Sequence, residues 1–267
     1  YMSFLEAAMP DAQRIHEDTP NIFALQPVLK GEGLKEPAKV AEIIDKSAYS
    51  VEGSFYSSRE PHLSIEGDPV EAYFDEDNYL TFQCKSQGVY SSIGRIGNSV
   101  GHPVDKMRVI MNPTGASFGW STNAGDLCLA GAAAVVMQGP VALSMSYEEH
   151  QHFSGKRCPC YSNGRLACDK DGKITAAEFD FGLDHGAYSW GGDDCFTKQA
   201  RFAFFPYNVP NVAGLCRVAN TNHNFGTAYR SYGSPQAYTL SENLMDMLAE
   251  KAGIDPFEFR WRNIGRP

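Results

Sequence analysis

VEGSFYSS, residues 51–58, alternates apolar and polar positions, the period-two signature of a half-buried strand. EAYFDEDNYLTFQC (71–84) reads as two strands joined by an acidic Asp-Glu-Asp-Asn turn, and KMRVIMNP (106–113) as a short buried strand. Between them, QGVYSSIGRIGNSVG predicts a helix that ends at glycine. NAGDLCLAGAAAVVMQG (123–139) is Ala-rich and meets Gly139-Pro140, which predicts a close-packed helix with a hard stop. PVALSMSY predicts a strand feeding EEHQHFSG, and YSNGRLACDKDGKITAAEFDFGLDHGAYS predicts two long strands joined at Asp171-Gly172. SPQAYTLSENLMDMLAEKAGIDP sets Leu240, Leu244, Met247 and Leu248 on one helical face and stops at Gly253, with Pro256 beyond. Ahead of all this, TPNIFALQPVLKGEG is Pro-rich and extended, and EPAKVAEIIDKSAYS opens like a short helix. Hairpins mixed with helices, and no internal repeat, predict an α+β fold.

At 267 residues, 43% hydrophobic and 21% charged, the chain has the composition of a globular protein with ample core. A formal charge of -9 with no basic cluster excludes a phosphate backbone as the expected partner, so nucleic acid is set aside. The longest apolar run, LCLAGAAAVVMQGPVAL, is broken by Gln138, Gly139 and Pro140, too early for a membrane span. The opening residues do not read as a secretory signal. Seven cysteines, an odd number without CxxC spacing, predict reduced thiols and a cytoplasmic location.

Several motifs invite chemistry and fit plainer readings better. In DKDGKITAAEF, Asp169, Asp171, Gly172, Ile174 and Glu178 fall at calcium-loop positions, but the first position is Ala167 and a strand precedes it, so an Asp-Gly turn is expected. Cys158 and Cys160 lack further ligands at metal spacing. His150 and His152 in EEHQHF are expected in a solvated loop, and His62 as a hydrogen-bonded histidine beside a strand. Gly94, Gly97 and Gly101 do not give GxGxxG, no P-loop or GxSxG elbow occurs, and Asp184-His185 reads as a strand end. No protein ligand to a metal is expected.

Two segments resist a plain reading. NPTGASFGW (112–120) sets Phe118 in a loop of glycines and small residues, so its backbone must come close to another part of the protein or to a bound group. In NHNFGTAYRSYGSPQ, Arg230 stands between two tyrosines just ahead of Gly233, Ser234 and Pro235, a permanent cation on a tight turn. Its planar donor fork suits an anionic or oxo-bearing ligand, or equally a structural tie to carboxylate or carbonyl oxygens.

NPTGASFGW, TAYRSYGSPQ, VEGSFYSSREPHLSIE, GKRCP at Gly155, YNVPNVAG at Tyr207 and LMDMLAEKAGIDPFEFRWRN together resemble, in order and along nearly the whole chain, the molybdenum-cofactor-binding part of the xanthine dehydrogenase and aldehyde oxidoreductase family. The likeness is greatest to bacterial aldehyde oxidoreductases. It implies a molybdenum–pterin cofactor, bare or as its cytosine dinucleotide. It also implies oxidation of aldehydes to carboxylic acids with water as oxygen source, the electrons leaving through iron–sulfur clusters. Ser117, Phe118 and Gly119 match the family's loop beside the metal, Arg230 its nearby arginine, and Gln87 the glutamine facing the apical ligand; Gln87 and Arg230 are the catalytic candidates. Thr122, Lys198 and Tyr232 match substrate-pocket positions. Purine-oxidising relatives carry glutamate and phenylalanine where Thr122 and Tyr232 stand, so an aldehyde is expected ahead of a purine or nicotinate-type heteroaromatic.

The Gly-Glu-Gly setting of the family's general base does not occur, nor do iron–sulfur cysteine clusters. The resemblance therefore implies partners: a second half carrying the catalytic glutamate, an iron–sulfur subunit or domain, and an FAD subunit or domain in some relatives. It also implies that residues 1–48 are the tail of a preceding small domain and 49–267 the first molybdopterin-binding domain. The competing expectation is a scaffold of the same fold without cofactor.

Overall fold

The computed structural model describes residues 2–188 and 195–266. In chain order its elements begin with α1 (Phe4–Ala7), β1 (Ile22–Lys30), α2 (Glu32–Lys35), α3 (Ala38–Lys46) and β2 (Tyr49–Ser57). Next come β3 (Glu60–Pro61), β4 (Val70–Phe74), β5 (Leu80–Cys84), α4 (Val89–Val100), β6 (Met107–Met111), α5 (Gly125–Met137), β7 (Val141–Leu143), α6 (Tyr147–Phe153) and β8 (Lys156–Arg157). The remainder holds β9 (Cys160–Cys168), β10 (Ile174–Gly186), α7 (Cys195–Phe202), β11 (Asn211–Asn220), α8 (Ser234–Ala252) and α9 (Pro256–Asn263). The fold is α+β, as the pattern predicts, in two compact units. The larger takes the chain up to Arg59, Cys158–Gly226 and everything from Ser231 on; the smaller takes Glu60–Arg157 and Thr227–Arg230.

The larger unit is built on a mixed sheet in the order β1-β11-β10-β9-β2, with β10 and β11 parallel and the other pairs antiparallel. The β9–β10 connection is the predicted hairpin: Asp169 Oδ1 accepts the N–H groups of Asp171 and Lys173, and Gly172 takes φ +75°. Helix α8 lies on β2 and β9. Gly53 and Gly164 face each other across those strands, and a Cβ on Gly164 would come within 3.0 Å of a Leu240 methyl. This glycine pair hollows the sheet so that Leu240 and Leu244 can seat. Leu248 is buried with them, but Met247 is 36% exposed, and the fourth large apolar side chain buried on the helix is Met245, two residues before it. On α3, Val40 and Ile44 cluster with Ala167 and Ala176 of the sheet. β1, within the stretch expected to be a preceding domain's tail, is hydrogen-bonded to β11 from Ile22 to Lys30.

The smaller unit is built on a sheet in the order β6-β5-β4-β7, with β5 and β6 parallel. Its β4–β5 turn is the predicted acidic one, closed by Asp75 Oδ1 accepting the N–H groups of Asp77 and Tyr79. Helix α4 ends at Gly101, φ +67°. Helix α5 packs on β4, and Gly131 lies where a Cβ would be 2.8 Å from the ring of Phe82. Three expectations are corrected here. β6 is not a buried strand: it is a sheet edge on which only Met107 is buried, because as the last strand of the sheet it has a neighbour on one side only. α5 is close-packed on one side only and exposes Leu129, Val136 and Met137. Residues 147–153 are not a solvated loop but helix α6, started by a capping box in which Ser146 and Glu149 exchange side-chain-to-backbone hydrogen bonds.

Candidate functional site

The glycine-rich loop belongs to the smaller unit and is tied down by its own small polar groups. Ser117 Oγ donates to Gln87 Oε1 at 2.7 Å and accepts the Ser121 N–H at 2.8 Å, while the Gln87 N–H donates to the Ser121 carbonyl oxygen at 3.0 Å. Gln87, one residue before the α4 N-cap Gly88, is thus fixed at backbone and side chain. Its carboxamide oxygen is engaged, and its nitrogen has no partner among the described residues. Thr122 closes the loop, its Oγ1 donating to the Gly119 carbonyl oxygen at 2.7 Å.

Behind the loop lie charged residues that the sequence reading did not single out. The Ala116 N–H donates to Glu66 Oε2 at 2.5 Å, and the Ala116 carbonyl oxygen accepts from Lys85 Nζ. Lys85 is buried and lies 3.4 Å from Asp68 Oδ1 and 3.5 Å from Glu66 Oε2. Asp68 accepts from Ser121 Oγ at 2.8 Å and meets His150 Nε2 at 3.2 Å. Both main-chain polar groups of Ala116 are therefore held by side chains, which a loop with few side chains of its own needs. Trp120 Nε1 donates to Asp126 Oδ2 at 3.1 Å, and burial pushes the Asp126 carboxyl up to about 6. His62 is buried, its Nε2 bonded to the Ala228 carbonyl oxygen at 2.8 Å, and desolvation holds its pKa down at about 4. The only forewarning of Glu66 and Lys85 was nearness: Glu66 ends REPHLSIE and Lys85 opens KSQ.

Phe118 and Arg230, 112 positions apart, meet here: the Arg230 N–H donates to the Phe118 carbonyl oxygen at 2.8 Å. Phe118 takes φ +54°, unusual for a side-chain-bearing residue, and Gly119 takes φ +114°. A Cβ on Gly119 would sit 2.4 Å from the Ala228 carbonyl oxygen. That glycine therefore serves the approach of another stretch of the same protein. The N–H groups of Phe118 and Gly119 have no acceptor among the described residues, and the Phe118 ring is 40% exposed. The Arg230 side chain is exposed, and its guanidinium has no hydrogen bond or ion pair among the described residues, so the structural-tie reading finds no partner there.

The remaining predicted positions are divided. Thr122 is in the smaller unit with Gln87, Ser117, Phe118, Gly119 and Arg230. Lys198 and Tyr232 are in the larger, where Lys198 Nζ stands 5.3 Å over the Tyr232 ring. Tyr232 and Ser231 both take positive φ, +32° and +69°, and Gly233 follows at +92°, where a Cβ would lie 2.4 Å from the Cys195 carbonyl oxygen. His150 is buried on α6 against Asp68. Among the described residues no group of three His, Cys, Asp or Glu side chains is arranged to hold a metal. All seven cysteines are free, and burial pushes the Cys160 thiol up to about 12, which makes it unreactive.

The family model of the molybdopterin cofactor-binding domain matches residues 15–264. The chain belongs to that family. It is similar to "Aldehyde oxidoreductase" of Megalodesulfovibrio gigas, 41% identical over all of this chain and 29% of that protein. It is also similar to "Nicotinate dehydrogenase large molybdopterin subunit" of Eubacterium barkeri, 29% identical over 95% of this chain and 58% of that one. Among solved structures, an aldehyde oxidoreductase from Desulfovibrio gigas superposes with a TM-score of 0.94 at 41% identity, and that from Desulfovibrio desulfuricans with 0.93 at 37%; each comparison covers 100% of this chain and 29% of the other. This molybdopterin-binding chain thus spans less than a third of the aldehyde oxidoreductases it matches, which carry further polypeptide beyond this region. The donor set suits such a cofactor: two adjacent amide N–H groups, a carboxamide nitrogen and a guanidinium, all without protein acceptors among the described residues, could receive oxo or phosphate oxygens. No helix among the described residues is long and apolar enough to cross a membrane.

Proposed function

We propose that this chain is part of the molybdopterin-binding subunit of a molybdenum hydroxylase that oxidises aldehydes to carboxylic acids with water as the oxygen source. One observation carries the reading. A permanent cation with no side-chain partner among the described residues, Arg230, is joined through its own N–H to the loop whose Phe118 and Gly119 amides also lack acceptors there. The bound cofactor would supply the two-electron chemistry and activate the water. The chain's residues bind and orient. Ser117, Phe118 and Gly119 would offer backbone to the cofactor, Gln87 its carboxamide nitrogen, and Arg230 positive charge. Preorganised donors of this kind cost no rearrangement when charge develops, and loss of one is worth about 2.7–4 kcal/mol in turnover.

Thr122, Lys198 and Tyr232 are proposed for the substrate pocket. Threonine and tyrosine at two of these positions offer a purine no carboxylate anchor, and the 41% identity to an aldehyde oxidoreductase, against 29% to a nicotinate dehydrogenase subunit, supports the aldehyde. The catalytic glutamate, the iron–sulfur clusters and, where present, FAD would lie on partner domains or chains. The division at residue 48 concerns how that longer polypeptide is partitioned and stays part of the proposal. Seven free thiols support a reducing, cytoplasmic setting.

The test is Arg230→Ala in the full-length protein with its natural partners, read by elemental molybdenum, by fluorescence of the oxidised pterin and by aldehyde turnover. Metal content or turnover is expected to fall severely. Full metal content with full turnover would refute the assignment.

A further inference from the structure

We infer that Arg157 is a positioning residue for the Arg230 turn, an inference that rests on the proposed cofactor-facing role of Arg230. Arg157 is only 7% exposed and makes three different contacts inside the smaller unit. Its Nε donates to Glu60 Oε2 at 2.7 Å, another guanidinium nitrogen donates to the Arg230 carbonyl oxygen at 3.1 Å, and its guanidinium carbon lies 4.0 Å from the centroid of the Tyr229 ring. The Arg230 residue is therefore gripped at both main-chain polar groups, its N–H by the Phe118 carbonyl oxygen and its C=O by Arg157. The neighbouring residue is held by its ring. Two further bonds brace the grip: β3 pairs with β8 so that Glu60 lies opposite Arg157, and the Thr227 N–H donates to the Lys156 carbonyl oxygen at 2.9 Å.

The turn needs such a hold, because Ser231 and Tyr232 follow immediately at positive φ, a backbone state that persists only where surroundings enforce it. A guanidinium is suited to the task. One planar group can stack on a ring, pair with a carboxylate and donate to a carbonyl at once, and a lysine ammonium in its place can keep the ion pair but not the stacked, forked geometry. Glu60 keeps the buried charge compensated, so the position does not carry a lone cation. Arg157 spends its donors on the protein and Arg230 keeps its own for a ligand. The first aims the second.

The experiment compares Arg157→Lys, Arg230→Ala and the double variant in the full-length holoenzyme. Molybdenum and pterin content, thermal melting and amide hydrogen exchange at residues 229–231 are measured for each. Arg157→Lys should lower cofactor content several-fold with little change in melting and should speed exchange at those amides. The double variant should hold no less cofactor than Arg230→Ala alone, since the lysine acts through a residue already lost. Additive losses, or a melting drop with exchange at 229–231 unchanged, would mean a merely structural role and overturn the inference. Full content in Arg157→Lys beside a depleted Arg230→Ala would overturn the inference and leave the proposed function standing, whereas full content together with full aldehyde turnover in Arg230→Ala would remove the function itself. Should Arg157→Lys fail to fold, Tyr229→Leu, which removes only the stacking ring, should shift content and exchange in the same direction by less; no shift in either overturns the inference.

Discussion

In the larger unit α8 seats Leu240, Leu244 and Leu248 in a sheet hollowed by Gly53 and Gly164, whereas the smaller unit buries Lys85, Asp68, His150, Asp126 and His62 around one loop. Apolar burial is strong but has no direction, so it holds a helix on a sheet without dictating where each peptide points. A buried hydrogen bond adds less net stability but fixes donor and acceptor geometry, and it is costly when left half-made. The apolar seat of α8 is thus suited to standing firm, and the buried polar cluster of the smaller unit to shaping the stretch from Ala116 to Thr122.

That contrast can be broken by substitution. Leu244→Ala should cost about 2–5 kcal/mol by the usual cavity penalty, measured by denaturant unfolding, while leaving molybdenum per folded molecule unchanged in the full-length protein. Lys85→Met strands the buried Asp68 carboxylate and frees the Ala116 carbonyl oxygen; about 3 kcal/mol of stability should go, and unlike Leu244→Ala it should also lower cofactor content. Equal cofactor content in the two variants would erase the proposed division of labour. Gly119→Ala combines a strained φ with a blocked approach to Ala228 and should cost about 2–3 kcal/mol, against about 1 kcal/mol for Gly253→Ala, whose Cβ at the α8 C-cap would meet nothing within 4 Å.

The smallest effect is a pH profile. His62 has a folded pKa of about 4, below its unfolded value, so its contribution is complete above about pH 6.5 and is lost as pH falls towards 4. Asp126, raised to about 6, acts in the opposite sense: its contribution is complete below about pH 4 and is lost as pH rises through 6. Between pH 4 and 6 the two slopes offset one another. Asp126→Asn keeps an acceptor for Trp120 and should raise stability above pH 6 by about 1–3 kcal/mol, while exposing the acid slope of His62. A stability profile parallel to the parent's across pH 4–7 would show that Asp126 does not titrate with folding.

Much of the fold was legible because local rules acted alone. The Asp171-Gly172 hairpin, the glycine ends of α4 and α8 and the acidic β4–β5 turn are each made by neighbours in sequence. Where the reading failed, long-range packing had decided. β6 has the apolar content of a buried strand but became an edge, and Met245 rather than Met247 turned inward on α8. The α6 helix is the local exception: its capping box is written in SMSYEE, while the polar composition of the segment alone predicts a loop. At the candidate site, Phe118 and Arg230 stood out as residue types in odd settings, a mark that any single loop can carry. Glu66, Lys85 and Arg157 did not, since a charged residue looks the same in sequence whether it faces water or grips a peptide.

By itself the sequence determined the α+β class, the main hairpins and helices, and, through ordered motifs, the cofactor family. Only the tertiary structure decided that the Gly119 backbone lies against Ala228, that Arg230 joins Phe118, and that Arg157 donates to the Arg230 carbonyl oxygen. The physical reason is range. Propensities, caps and turns are settled within a few residues, but a hydrogen bond between positions 118 and 230 forms only once the intervening chain has folded and brought donor and acceptor within 2.8 Å.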